Sequence, residues 1–168
     1  MRCFYPDASF RRVTDISPEW VRERGISALL LDVDNTLTTH DNPQVPPEVA
    51  AWIARMRESG IPLVILSNNN PGRVAPFAGG LGLDFVANAA KPLGRGVRRA
   101  AARLDAREGR LALVGDQVFT DVLCAKWAGV VAVLVEPIEP EGFWFFRLKR
   151  RLERLVLRGY RKDGKGAR

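Results

Sequence analysis

The chain has 168 residues, 46% of them hydrophobic, which suits one domain with a buried core. No apolar run approaches the roughly 20 residues of a membrane-spanning helix. The polar residues 1–12 lack the apolar middle of a secretory signal peptide. The two cysteines, Cys3 and Cys124, match no metal or redox spacing and are interpreted as reduced thiols. These features argue against a disulfide-stabilised secreted domain and a membrane-spanning protein, and we expect a cytoplasmic one.

The positive charge is concentrated at the carboxyl end of the chain. The formal net charge is +7 and the pI is near 10.1, values that suggest binding to nucleic acid or to a membrane surface. Residues 147–168 hold ten of the 26 Lys and Arg but only two of the 19 acids, a local charge of +8. The rest of the chain is at −1, so the basicity belongs to the tail.

Taken in order, the chain alternates predicted helices with predicted strands. Strands are predicted from short apolar runs and helices from apolar residues at helical spacing. The first helix has Ser17 as its cap, Pro18 in its first turn and Gly25 after its end. The predicted helices are Asp15–Glu23, Pro47–Ser59, Arg73–Gly80, Gly94–Leu104 and Phe119–Trp127, and the predicted strands are Ala28–Leu31, Pro62–Leu66, Asp84–Ala87, Leu111–Val114 and Val130–Val135. This alternation predicts an α/β fold, a parallel sheet with right-handed crossovers and helices on both faces.

Polar residues follow several of these strands at the point where each ends. They are Asp32 and Asp34, then Ser67, then Lys91, then Gly115-Asp116 with Asp121. Ligands bind at the carboxyl ends of the strands in open parallel sheets, and two carboxylates two residues apart on an extended chain share one side. Taken singly, each residue has a simpler interpretation as a turn former, a helix cap or a solvated charge. Together they predict a catalytic site.

These segments resemble the motifs of a known family. The haloacid dehalogenase superfamily of phosphotransferases has motifs similar, in order and spacing, to Asp32-Val-Asp34-Asn-Thr36, Ser67-Asn68-Asn69, Lys91-Pro92 and Gly115-Asp116-x-x-x-x-Asp121. More narrowly, the sequence resembles the YqeG group of capless phosphatases, to which the mitochondrial phosphatidylglycerophosphate phosphatases are related. The narrower resemblance is carried by Asp15-Ile16, Arg24-Gly25-Ile26, Arg73-Val74, Phe119-Thr120-Asp121 and Arg151-Leu152-Glu153.

The resemblance implies a Rossmann-like haloacid dehalogenase fold without a cap domain. Superfamily members that act on small metabolites usually carry a cap that closes over the substrate. Here the intervals from Asp34 to Ser67 and from Ser67 to Lys91 have room for ordinary helices and turns only. By resemblance, capless members act on large substrates or use a partner subunit as the cap. We expect residues 1–140 to form the phosphatase domain and residues 141–168 a basic amphipathic helix and tail, either part of that domain or a surface anchor.

The family mechanism implies a role for each matching residue. Asp32 is the nucleophile that forms an aspartyl phosphate, and Asp34 is the acid toward the leaving oxygen and then the base toward water. An acid at position 34 favours phosphatase over halide chemistry, because the superfamily's dehalogenases lack one there. Ser67 and the Asn68 amide would donate to phosphate oxygens, and Lys91 would add positive charge at the transferring group.

A divalent cation is implied as well, because clustered carboxylates would otherwise repel one another strongly. Mg²⁺ fits best, being a hard ion that takes carboxylates, a carbonyl, water and a substrate oxygen. Asp32 and Asp116 are assigned as side-chain ligands and Asp34 as a backbone carbonyl ligand. Asp121 is expected either to support these ligands without binding the ion itself or to contact Lys91.

The polar stretch 38–46 is rich in turn formers, and in the superfamily this place holds a small flap over the site. It contains His40, the only histidine of the chain. We interpret His40 as a plain flap residue, because the mechanism already has its acid in Asp34.

The tail has the pattern of an amphipathic helix, opened by the aromatic run 143–146 and without a helix breaker before Gly159. One stripe is apolar and another is basic: Phe145, Leu148, Leu152, Leu155 and Val156 against Arg147, Arg151, Arg154 and Arg158. Two compatible interpretations stay open, a helix docked on the core and an interfacial helix, 143–162, on an anionic membrane. Nucleic-acid binding is less favoured, because the aromatic residues precede the charges instead of interleaving with them.

The sequence thus predicts a Mg²⁺-dependent phosphomonoesterase acting on a phosphorylated substrate, with phosphatidylglycerophosphate as the best substrate hypothesis. An open site beside a basic, aromatic-rimmed tail would let such an enzyme reach a lipid at the inner membrane surface. One alternative is a ribosome- or nucleic-acid-associated protein that keeps the fold with little catalysis. Another is a soluble sugar-phosphate or nucleotide phosphatase capped by its own oligomer. The oligomeric state is left open.

Overall fold

A computed structural model describes residues 2–40, 42–104 and 110–139, together with residues 151–153, 155 and 157. In these segments the chain forms a sheet flanked by helices. The strands are β1 (Ala8–Phe10), β2 (Ile26–Leu31), β3 (Leu63–Leu66), β4 (Asp84–Val86), β5 (Arg110–Gly115) and β6 (Val131–Val135), and the α-helices are α1 (Pro18–Glu23), α2 (Pro47–Glu58), α3 (Pro71–Leu81), α4 (Arg95–Arg103) and α5 (Leu123–Ala128). Short 3₁₀ turns lie at Arg2–Phe4 and Val13–Asp15, and a π-helical turn lies at Val118–Val122.

The six strands lie in the order β1-β6-β5-β2-β3-β4, and every neighbouring pair is parallel. From β2 the chain moves through β3 to β4 on one side, and then crosses to β5 and β6 on the other. The strand order therefore changes direction between β2 and β5, and ligands bind at such a switch point in open α/β sheets. The predicted fold class is confirmed.

Two apolar cores cover the two faces of the sheet. Successive residues of a strand point to opposite faces, so Leu29 and Leu31 lie in one core and Ala28 and Leu30 in the other. Helices α1, α2 and α3 pack against the first core, and α4 and α5 pack against the second. All four of these β2 residues are at most 1% exposed, because β2 is covered on both sides.

Some elements differ from the sequence prediction. The pattern predicts no strand within residues 1–26, but Ala8–Phe10 pairs with β6, so the strand predicted as the fifth is the sixth. Three residues are too few to show a period, and only the pairing identifies them as a strand. The first helix begins at Pro18, because Val13–Asp15 forms a separate 3₁₀ turn. The helix predicted from Phe119 begins as the π-helical turn and continues as α5.

The described parts of the chain contain no cap domain between the motifs. The interval after Asp34 holds α2, and the interval after Ser67 holds α3 and β4, all of which pack on or within the sheet. The same parts of the chain contain no helix long and apolar enough to cross a membrane.

The described tail residues contact the core. Residues 151–153 are helical, and the Glu153 side chain is buried, where it accepts the Val118 N–H at 3.0 Å. Leu157 packs against the core that α4 and α5 also contact, whereas Leu152 and Leu155 are about half exposed. These contacts agree with a docked helix for this part of the tail. The aromatic run 143–146, most of the predicted basic stripe and residues 158–168 lie outside the described residues.

Candidate active site

The side chains predicted for the site lie together at one edge of the sheet. Asp32 and Asp34 follow β2, Ser67 follows β3, Lys91 comes from the segment after β4, and Asp116 follows β5. A small cavity of about 90 Å³ lies among them. It is lined by Asp32, Asp34, His40, Ser67, Asn68, Asn69, Lys91, Gln117, Thr120 and Asp121. The cavity opens next to the switch point between β2 and β5.

A buried lysine joins two of the carboxylates. Lys91 Nζ donates to Asp32 Oδ1 at 2.6 Å and to Asp121 Oδ1 at 2.7 Å. Carboxylate oxygens of Asp32, Asp116 and Asp121 lie within 4.8 Å of one another, and all three residues are buried. Asp121 therefore holds Lys91, which is one of the two positions expected for it.

Burial and the charge of the ion-pair partner shift the pKa values of Asp32 and Lys91 in opposite directions. Burial, together with the neighbouring Asp121 and Asp116, raises the pKa of Asp32 to about 7 against the lowering effect of Lys91. Burial by itself would lower the pKa of Lys91, but the charges of Asp121 and Asp32 outweigh it and hold this pKa above its usual value. Lys91 is thus a fixed positive charge. The charge of Asp32 depends on the cations around it.

Close backbone approach sets the position of Asp121. A Cβ at Gly115 would lie 2.3 Å from Asp121 Cγ, so only glycine fits there. The Gln117 N–H donates to Asp121 Oδ2 at 3.1 Å, while Oδ1 accepts from Lys91. The Gly115-Asp116 pair therefore has two effects: the glycine admits Asp121, and Asp116 adds a carboxylate.

The main chain before Lys91 is strained. Ala90 has a φ of +55°, a left-handed conformation that costs a non-glycine residue about 1 kcal/mol or more. The Asn68 side chain holds Lys91 from both sides, with Oδ1 accepting the Lys91 N–H at 2.8 Å and Nδ2 donating to the Lys91 carbonyl at 3.1 Å. Because the Asn68 side chain is used in this way, the phosphate contact predicted for Asn68 would be made by its main-chain N–H.

Ser67 is buried and its Oγ accepts the Asn69 N–H at 3.2 Å, a bond that does not use the hydroxyl proton.

Asp34 is held by two residues that the sequence reasoning did not assign to the site. Its Oδ1 accepts from Arg73 Nη2 at 2.6 Å, and its Oδ2 accepts from Asn69 Nδ2 at 2.5 Å. Asn70 caps α3 by accepting the Arg73 N–H, which places Arg73 in the first turn of that helix. His40 Nδ1 lies 3.9 Å from Asp34 Oδ1, so the predicted flap residue reaches the site.

Comparison with known proteins decides the family. Residues 11–129 match a family model described as haloacid dehalogenase-like hydrolase. The chain belongs to this family. Over 161 residues it is 34% identical to "Probable phosphatase YqeG" of Bacillus subtilis (strain 168), a match that covers 96% of this chain and 94% of that protein. The predicted superfamily and the YqeG-type resemblance are confirmed, and the chain is a hydrolase of the phosphatase class.

Two more distant relatives are named for a substrate. This chain is 23% identical, over 95% of its length, to "Phosphatidylglycerophosphate phosphatase 1, chloroplastic/mitochondrial" of Arabidopsis thaliana. It is 26% identical, over 73% of its length, to "Phosphatidylglycerophosphate phosphatase 1, chloroplastic" of Chlamydomonas reinhardtii. The matches cover 49% of each of these longer proteins. Among solved structures, an uncharacterized protein from Listeria monocytogenes serotype 4b gives a TM-score of 0.56 at 17% identity, over 70% of this chain and 85% of that one, which shows a shared fold.

The carboxylates of this haloacid dehalogenase-like site fit a hard divalent cation. The donors in the cluster are carboxylate oxygens, without thiol or imidazole, which is the set that Mg²⁺ prefers. Asp32 and Asp116, which the sequence predicts as the two side-chain ligands, both belong to this cluster. Asp121 is near enough to reach the same ion, but both of its oxygens already accept hydrogen bonds, from Lys91 Nζ and from the Gln117 N–H.

Proposed function

We propose that this phosphatase is a Mg²⁺-dependent phosphomonoesterase that forms an aspartyl phosphate on Asp32, and that its substrate is phosphatidylglycerophosphate. The observation that supports the chemistry best is the buried Lys91 ammonium placed between Asp32 and Asp121, with Asp116 in the same cluster. A nucleophile beside a fixed cation and a carboxylate cluster is the arrangement that phosphoryl transfer requires.

The proposed reaction has two steps. A carboxylate oxygen of Asp32 attacks phosphorus, the bond from phosphorus to the alcohol oxygen breaks, and Asp34 gives that oxygen a proton. Water then attacks phosphorus in the aspartyl phosphate and gives its proton to Asp34, which releases inorganic phosphate and restores Asp32. One of the two hydrogen bonds to the Asp34 carboxylate must yield for the proton to reach the leaving oxygen.

The remaining residues bind and neutralise the phosphoryl group. Ser67 and the main-chain amide of Asn68 would donate to its oxygens, and Lys91 would stabilise the charge in the transition state. Mg²⁺, held by the side chains of Asp32 and Asp116 and the Asp34 carbonyl, would neutralise phosphate charge that the protein alone leaves uncompensated.

The lipid substrate is supported by three features. The small polar cavity has room for a phosphoryl group and little more, and the described chain carries no cap to enclose a small metabolite. The Arabidopsis and Chlamydomonas relatives are named for phosphatidylglycerophosphate. The tail, with a charge of +8, would bring the enzyme to an anionic membrane surface.

The test is phosphate release from a short-chain phosphatidylglycerophosphate and from a panel of sugar phosphates and nucleotides, with Mg²⁺ or with EDTA. We expect the lipid ester to be preferred and EDTA to abolish turnover. Asp32→Asn should lower kcat by roughly 10⁴-fold or more, while Asp84→Asn, at an exposed carboxylate away from the site, should leave it unchanged. Turnover retained in Asp32→Asn would contradict the nucleophile, and a strong preference for a soluble ester would contradict the lipid substrate.

A further inference from the structure

A second cavity lies directly beside the candidate catalytic residues. Its volume is about 340 Å³. Its wall is largely apolar, with Val33, Pro43, Pro76 and Phe77 among its residues, and its polar residues are Asn42, Asn69 and Arg73. Ligand pockets commonly occupy about 300 to 1,000 Å³, so this cavity is large enough for a small organic group.

The second cavity adjoins the phosphate-sized one. Asn69 lines both cavities. Asn69 and Arg73 are also the two residues whose side chains hold the Asp34 carboxylate, at 2.5 and 2.6 Å. The border between the cavities is therefore formed by Asp34 and its two partners.

The position of Asp34 fixes what this cavity can receive. An acid that protonates the leaving oxygen must lie on the leaving-group side of the phosphorus atom. The phosphate-sized cavity, at about 90 Å³, has no room for the alcohol part of an ester. The alcohol must therefore extend past Asp34, and the adjoining cavity is where it would go.

The residues that line the second cavity limit which alcohols it can bind. Arg73 is partly exposed, with 29% of its side chain accessible. A guanidinium has five N–H donors and matches phosphate oxygens in a planar fork, so Arg73 can hold Asp34 and a second anion together. The rest of the wall is mainly apolar, with Val33, Pro76 and Phe77, and Asn42 adds one further polar residue.

We infer that this cavity is the leaving-group site, and that it selects alcohols with an anionic phosphodiester close to the scissile ester and apolar carbons beyond it. Arg73 binds the phosphodiester, and the apolar wall contacts the first carbons of the lipid. This inference rests on the proposed function for the orientation of the ester, and it makes Arg73 a specificity-determining residue.

The first test measures binding without catalysis. The probe is dihexanoyl phosphatidylglycerol, the proposed alcohol product, titrated calorimetrically below its micelle concentration into the full-length chain with Mg²⁺ and inorganic phosphate present. We expect saturable binding that weakens about tenfold in Arg73→Gln, which loses a charged hydrogen bond. Pro76→Trp, which fills the cavity from an exposed helix position, should weaken it similarly. Ala102→Trp, the same bulk on exposed α4, is the control and should bind as the wild type does.

The second test compares two substrates in the same variants. The ratio of kcat/KM for dihexanoyl phosphatidylglycerophosphate to that for glycerol 3-phosphate should fall about tenfold in Arg73→Gln and partly recover in Arg73→Lys. The ratio cancels a general effect that Arg73 has through Asp34, because both leaving groups are unactivated alcohols that need a proton from that acid. Product binding that is absent, or equal in all variants, would overturn the leaving-group site. An enzyme that binds the product but hydrolyses neither ester would instead overturn the proposed function.

Discussion

At the residue scale, the buried cluster around Lys91 bears on both the proposed chemistry and the stability of the fold. Removing one partner of a buried ion pair costs about 3 to 5 kcal/mol, because the other charge is left uncompensated. Lys91 has two such partners, Asp32 and Asp121, with Asp116 nearby. Three acids share one ammonium, so the cluster has an excess of negative charge that either a proton or a divalent cation can remove.

This excess predicts an unusual dependence of stability on pH in the metal-free protein. The pKa of Asp32 is about 7 in the folded chain, against an ordinary value of 3.8, so folding favours the protonated form. The stabilisation from this group is complete below about pH 4 and is lost as the pH rises to about 7, by at most about 1.4 kcal/mol for each pH unit. Urea unfolding in EDTA at a series of pH values would measure it.

The control for this prediction isolates one carboxyl group. Asp32→Asn should remove the loss of stability between pH 4 and pH 7, while Asp84→Asn should retain it. Mg²⁺ should restore stability above pH 7 in the wild type, because ion binding requires the deprotonated carboxylate. An identical pH profile in wild type and Asp32→Asn would contradict the raised pKa.

The sequence singled out residues that the structure brings together at one edge of the sheet, and it missed two whose contacts depend on helix placement. Most of the residues assigned beforehand come after an apolar strand run, and parallel strands bring their carboxyl ends to one edge. Asp121 is the exception, because it lies in the π-helical turn. Arg73 and Asn69 belong to sequence motifs that supported the family resemblance, but their contact with Asp34 depends on how α3 begins. No linear pattern gives the angle between that helix and β2.

At the element scale, the π-helical turn Val118–Val122 is the part of the fold least visible in the sequence. Apolar spacing predicted an ordinary helix there. The turn is held by close packing of Asp121 on Gly115 and by the Glu153 carboxylate at its start. Both contacts are long-range or steric, so local propensity could not reveal them. Strand β1 was missed for a related reason, because only its pairing with β6 defines it.

Gly115→Ala tests the contact between β5 and the π-helical turn. The added Cβ would lie within 2.6 Å of three Asp121 side-chain atoms, so the turn or the strand must move. We expect a loss of about 1 to 3 kcal/mol in the free energy of unfolding and a lower kcat, because Asp121 would leave Lys91. Gly80→Ala, where no atom lies within 4 Å, is the matched control and should be neutral or slightly stabilising. Wild-type stability and kcat in Gly115→Ala would show that the turn does not need this approach.

Glu153 tests how the tail supports the same turn. Glu153→Leu would leave the buried Val118 N–H without its acceptor, at a cost of about 1 to 3 kcal/mol in the free energy of unfolding. Glu153→Gln keeps an acceptor oxygen and should cost less. The comparison is made by urea unfolding, with Glu58→Gln at an exposed position of α2 as control. Equal stability of all three variants would mean that the tail contact contributes nothing to the fold.

At the scale of the whole molecule, the positive charge is concentrated in the tail, part of which is docked on the core. The part of the chain before residue 147 is close to neutral, and the tail carries +8. The docked part of the tail buries Glu153 while Leu152 and Leu155 stay about half exposed. Among the described residues, docking and the proposed membrane contact are therefore compatible, because Glu153 contacts the core while Leu152 and Leu155 stay exposed. Truncation would remove the docking contact and the proposed membrane contact together, so substitutions separate the two better.

Binding to vesicles distinguishes the tail from other basic surfaces. Replacing Arg158, Arg161, Lys162 and Lys165 with Gln should weaken binding to phosphatidylglycerol vesicles by about 1 kcal/mol for each charge, without changing turnover of a short-chain soluble substrate. Sedimentation with anionic and with neutral vesicles, at low and at physiological salt, would measure this. The same change at the four exposed arginines of α4 is the matched control: Arg95, Arg98, Arg99 and Arg103. Because surface electrostatics are screened by salt, binding should fall as salt rises and be weak on neutral vesicles. If only the α4 variant lost binding, the membrane contact would lie on the phosphatase domain instead of the tail.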